Sequence, residues 1–143
     1  MFTKIVAIVF SLLNVTLFVQ IGLEVAAVTP EQAILEGMTQ RIYASTSHID
    51  YIMAALWVAI LWNILVANKE WFLRAVWLYL GLYLWSVHSG YYMAIEMNDF
   101  TWTIIALLLV TVQCGFLFWA EMQINTVILT RRLQELSATR SLN

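Results

Sequence analysis

The 16 charged side chains of this 143-residue chain, 7 basic and 9 acidic, leave four intervals of 18 or more residues with no charge at all. Nineteen uncharged residues lie between Lys4 and Glu24, 18 between Asp50 and Lys69, 21 between Arg74 and Glu96, and 21 between Asp99 and Glu121. A helix of about 20 apolar residues spans the hydrocarbon core of a bilayer. Inside hydrocarbon every backbone polar group must be satisfied within the segment, which selects helices. With 62% hydrophobic residues, 11% charged and a mean hydropathy of +0.80, the composition excludes a water-soluble fold, a disordered chain and a nucleic-acid-binding surface. The single cysteine, Cys114, excludes an intrachain disulfide framework, a thiol exchanger and a cysteine-rich metal cluster.

These intervals predict an all-α membrane protein, a four-transmembrane up-down helical bundle forming one domain over 1–143, with spans of about 5–28, 48–67, 70–96 and 99–130. The first interval competes with a cleaved signal peptide, since Lys4 precedes it and Val25-Ala26-Ala27 is a tolerable cleavage site. Its apolar run is longer than the core of such a peptide, and Glu24 interrupts its polar end, so a retained span is expected. On an up-down path Lys4, Lys69, Arg74, Arg131, Arg132 and Arg140 share one side and Arg41 stands alone on the other. The excess of Lys and Arg assigns both termini, and the tail 131–143, to the cytoplasm. Six of the nine acids then fall on the outer side.

Capping chemistry marks the connections. Thr29-Pro30-Glu31-Gln32 predicts a short helix to about Gly37, on the outer membrane surface between helices 1 and 2. Ser47-His48-Ile49-Asp50 reads as a second capping box that starts helix 2. Asn68 marks a very short inner turn, and Asn98-Asp99 are expected to start helix 4. Ile124, Ile128 and Leu136 keep rough helical spacing past Glu121, so helix 4 should outrun the membrane.

Depth and azimuth pick out candidate sites. His48 and His88 are each 20 residues from Asn68, about 30 Å along their helices, and Glu24 is 20 residues from Lys4. Asp50 lies about 3 Å deeper. On helix 3, Arg74, Trp77, Gly81, His88 and Tyr92 share a stripe, and on helix 2 the His48 stripe passes Ala55 and Ala59. Both stripes are expected to be packing faces. Glu24, His48, Asp50 and His88 are therefore a candidate first shell for a transition metal, with bis-histidine haem b or a pigment on His48 and His88 as the alternative. The competing reading makes the same four residues an interfacial histidine, a helix cap, a solvated helix end and a hydrogen-bonded bundle residue. Arg74 and Glu121 are expected to face each other as an ion pair, because 74 plus 121 matches the sum set by the turn near residues 97–98.

The remaining polar and aromatic residues have ordinary readings. Asn14, Asn63 and Gln113 suit interhelical hydrogen bonds, and Cys114 a small buried position. Trp71, Trp85 and Trp102 fall near the interfaces. Trp57, Trp62, Trp77 and Trp119 fall within the hydrocarbon, as core or lipid-facing residues or as the lining of a pocket for a quinone, sterol or lipid. Nucleophile-elbow, phosphate-loop, metalloprotease and CxxC motifs are absent from the sequence. The leading expectation is a non-catalytic accessory subunit of a larger membrane complex, in contact with other subunits or with copies of itself. The alternatives are a metal or haem redox subunit of an oxidase or oxygenase, and a small oligomeric cation transporter or channel.

Overall fold

The computed structural model describes residues 2–27, 29, 31, 40–98 and 100–141. Among these residues the chain is all-α, with helices α1 (Phe2–Ala27), α2 (Gln40–Val66), α3 (Lys69–Met97) and α4 (Thr101–Ser141). Three of them, over Phe2–Ala27, His48–Val66 and Thr101–Arg140, are long and apolar enough to cross a membrane. α3 is as free of charge over 75–95 as the others, but Tyr and Trp side chains and His88 lower its mean hydropathy. The short outer helix expected after Thr29 falls mostly outside the described residues.

The helix ends follow local chemistry. α2 begins at Gln40 rather than at a Ser47 cap. Ser47 and Asp50 thus lie inside the described helix, about two turns or more past Gln40, rather than at its first turn. α2 and α3 are joined by Ala67 and Asn68, with Ala67 at φ 56° and the Asn68 side chain accepting from the Trp71 N–H at 3.3 Å. Asn98 does not start α4. It closes α3 in the left-handed conformation, φ 53° and ψ 32°, with its N–H directed to the Ala94 and Ile95 carbonyls. Asparagine is among the few non-glycine residues that take this conformation readily at a helix end.

Neighbouring helices run antiparallel, as the side-chain pairings require. Phe10 of α1 meets Trp57 of α2, while Gly22, further along α1, meets Tyr51, earlier on α2. Lys69 of α3 pairs with Glu121 of α4, and Tyr83 reaches Ala106. At the centre an aromatic cluster joins all four helices. Phe10 stacks on Phe116 at 4.1 Å between centroids, and Trp57 meets Tyr79 edge-on at 5.2 Å. Phe18 meets Tyr79 and Tyr83 edge-on at 6.0 and 6.3 Å. Edge-on and offset pairs suit the ring quadrupoles and add to the packing energy.

A buried hydrogen-bond chain crosses this cluster. The Tyr79 hydroxyl donates to Gln113 Oε1 at 2.6 Å, Gln113 Nε2 donates to Asn14 Oδ1, and Asn14 Nδ2 donates to the Phe10 carbonyl at 2.9 Å. Gln113 is fully buried and Asn14 nearly so. The expectation of interhelical bonds therefore holds for Asn14 and Gln113, whereas Asn63 donates within its own helix, to Ala59. The indole N–H of Trp57 approaches the Tyr79 side chain without hydrogen-bond geometry, and the Ser11 hydroxyl is buried without a partner among the described residues.

Replacing Asn14 or Gln113 by Leu strands the amide partner, so each change should cost about 1 kcal/mol in reversible unfolding from bicelles. The double replacement should cost clearly less than the sum; strictly additive losses would show that the chain does not couple α1 to α4.

Candidate functional site

At the end of the bundle away from the Ala67–Asn68 turn, the helices separate around a cavity of about 640 Å³. Leu17, Phe18 and Ile21 of α1, Met53 of α2 and Ile105 and Leu109 of α4 supply apolar wall. Tyr83, Ser86, Val87, Gly90 and Ala94 give the α3 wall a repeat of three and four residues, one helical face. The polar groups converge on it from several helices: Gln20 and Glu24 from α1, Asp50 from α2, Ser86 from α3 and Thr103 from α4. A cleft of this size, mostly apolar with a few convergent polar groups, has the general character of a small-molecule site.

The two carboxylates differ. Glu24 is exposed and accepts from Gln20 Nε2 at 3.0 Å. Asp50 is only 9% exposed and lines the cavity with no hydrogen bond or ion pair among the described residues. The Tyr83 hydroxyl donates to the Ala106 carbonyl at 3.0 Å, which fixes that ring as cavity wall.

The four residues considered as a metal or haem shell are not gathered into one. Glu24 and Asp50 line the cavity, while His48 and His88 are exposed and do not. His88 lies edge-on to Tyr92 at 5.0 Å. Among the described residues no group of three or more His, Cys, Asp or Glu side chains is arranged to hold a metal ion. The reason is azimuthal. The cavity face of α3 passes through Tyr83, Val87, Gly90 and Ala94, and His88 lies about 140° from Tyr83 at 100° per residue. The stripe of Arg74, Trp77, Gly81, His88 and Tyr92, expected to pack inward, points out of the bundle, with Trp77 73% exposed. On α2 likewise, His48 and Ala55 are exposed, while Ile49, Met53, Trp57 and Ile60 face inward.

The expected pair of Arg74 with Glu121 is replaced by two others. Lys69 Nζ lies 3.4 Å from Glu121 Oε1, whereas Arg74 pairs with Glu70 one turn back and sits over the Trp71 ring at 4.7 Å. Equal depth was not sufficient: relative to buried Phe72, Lys69 is rotated by about 60° and Arg74 by about 200°. Cys114 is exposed rather than buried. Among the membrane-depth tryptophans Trp57 is fully buried, Trp119 partly so, and Trp62 and Trp77 face outward.

Sequence reasoning named Glu24 and Asp50 but not Tyr83, Ser86, Gly90 or Thr103. The available signal was the 3–4 spacing of Tyr79, Tyr83, Ser86 and Gly90, which marks a face richer in small and hydroxylated side chains than the rest of α3. The partly exposed Lys69–Glu121 pair should contribute about 0.2–1 kcal/mol. A double-mutant cycle of Lys69→Met with Glu121→Gln should reveal that coupling, and one of Arg74→Gln with Glu121→Gln should be additive; the reverse pattern would restore the pairing expected from depth. No protein-family model, curated protein or solved structure matches the chain.

Proposed function

We propose that the chain is a four-span integral membrane protein with both termini in the cytoplasm, acting as a non-catalytic accessory subunit of a larger membrane assembly. Fourfold crossing is supported by the packing of α3. It lies antiparallel between α2 and α4 and is joined to α2 through Ala67 and Asn68 alone, so it shares the depth of two helices apolar enough to cross. Orientation rests on the excess of Lys and Arg at the Lys4, Lys69 and Arg131 level.

The observation that carries the accessory role is the length of α4. Its 41 residues measure about 60 Å, twice the hydrocarbon thickness. Ile124 is buried and Ile128 packs against the core, but from Leu129 to Arg140 every residue is exposed. Met122, Leu129, Leu133 and Leu136 recur at spacings of seven, four and three on this rod, an apolar stripe at helical period left exposed among the described residues. Arg131, Arg132 and Arg140 against Glu135 leave the segment basic. An isolated helix end of this length is marginal in water, and a partner helix or groove on the cytoplasmic side would bury the stripe.

Removing 129–141 should leave insertion and thermal stability in detergent unchanged while abolishing the larger species seen by native electrophoresis of gently solubilised membranes. Leu129→Glu with Leu136→Glu should do the same. Full-length and shortened chains of the same assembled size would refute the accessory role. For the topology, a charged, impermeant maleimide should leave Cys114 unlabelled in intact proteoliposomes and label it after denaturation in SDS. Rapid labelling before denaturation would remove α4 from the hydrocarbon.

A further inference from the structure

Asp50 raises a separate question, which the accessory role does not answer. An ionisable group within a membrane-spanning helix is costly, and such groups usually pair or face a cavity used by a ligand or ion. Asp50 is nine-tenths buried, has no hydrogen bond or ion pair among the described residues, and lines a cavity whose remaining wall is largely apolar. Among the described residues neither a histidine nor a cation lines that cavity. Glu24, exposed at its rim, adds a second carboxylate, and its partner Gln20 brings no charge.

The shape limits what could fit. Along α1 the lining runs from Leu17 to Glu24, seven residues or about 10 Å, and along α4 from Trp102 to Leu109, the same distance. The carboxylates sit toward one end and Leu17 and Leu109 toward the other. Phe18 and Tyr83 add aromatic wall between the two ends. On the proposed topology the acidic end opens on the outer side, which carries six acids and one Arg and so concentrates cations.

We infer that this cavity is a binding site for a single amphiphilic organic cation, its charged head at Asp50 and Glu24 and its apolar body against Phe18, Tyr83 and Leu109. This inference does not depend on the accessory role and would survive its failure. A phosphate-bearing lipid headgroup fits poorly, because its anion would meet the same carboxylates. A metal ion is a poorer fit, since among the described residues Asp50 and Glu24 are the charged donors on the cavity and no third His, Cys, Asp or Glu joins them.

The test uses the full chain in nanodiscs, with empty nanodiscs subtracted, and tetraphenylphosphonium as the probe in equilibrium dialysis. Saturable binding of about one probe per chain is expected, weakened about tenfold or more by Asp50→Asn and by less in Glu24→Gln. Gly90→Leu should also abolish it, because a Cβ at Gly90 meets nothing within 4 Å and a larger side chain can fill the cavity without displacing the helices. Neutral triphenylphosphine oxide should bind more weakly and be indifferent to Asp50→Asn. Should Asp50→Asn fail to fold, the unaltered protein still decides: tetraphenylphosphonium should protect Asp50 from a hydrophobic carbodiimide, read by peptide mass spectrometry. Equal binding by wild type and a folded Asp50→Asn, equal affinity for the neutral probe, or labelling of Asp50 undiminished by the cation would each overturn the assignment.

Discussion

Association between helices in hydrocarbon cannot draw on the expulsion of water, because lipid chains are as apolar as leucine. The contact that most defines this bundle is accordingly polar: Tyr79, Gln113 and Asn14 linked through buried hydrogen bonds across three helices. Each of these groups would be stranded if its helix rotated, so the chain of bonds fixes which faces of α1, α3 and α4 look inward. The aromatic cluster of Phe10, Trp57, Phe116 and Phe18 fills the volume around it, and dispersion between close-packed rings supplies the attraction that the solvent does not.

The same choice of faces creates the cavity. Large rings close the middle of the bundle, where Trp57 and Tyr79 are completely buried. Beyond Tyr83 the inward positions of α3 become Ser86, Gly90 and Ala94, too small to fill the space. Where α1 packs on α2, Gly22 leaves room for the Tyr51 ring, whose nearest carbon would lie 3.1 Å from an added Cβ. Close packing of α1 on α2 together with small residues on α3 leaves the unfilled volume between that pair and the facing walls of α3 and α4.

What could be read from residues alone was whatever carries a large penalty. Charge is expensive in hydrocarbon, so charge-free intervals located all four helices, though α2 is helical eight residues before its expected start and α4 runs eleven past its expected end, and Asn68 was correctly read as a tight turn. Amides are expensive when unpaired, so Asn14 and Gln113 were recognisable as interhelical partners. Rotation about each helix axis was not legible. An outward residue meets lipid and an inward one meets protein, and both surroundings are apolar, so the stripe of Trp77, Gly81 and His88 carries no mark of its direction. The pairing of Arg74 and the grouping of His48 with His88 both depended on that rotation, and both expectations parted from the geometry. Glu24 and Asp50 were located by depth and do share a cavity, but its existence rests on Ser86, Gly90 and Ala94, whose smallness has meaning only once the facing helices are in place.

α4 is unbroken from the cavity wall at Thr103 to its cytoplasmic end on the proposed topology. Leu109, the last cavity residue on it, lies 27 residues before Leu136, about 40 Å along a single rod. Such a helix is a lever arm. A rigid tilt of about 5° at the cavity would move Leu136 sideways by about 3.5 Å, close to the width of a side-chain contact, and would have to work against the contacts that hold α4 at Gln113, Phe116 and Glu121.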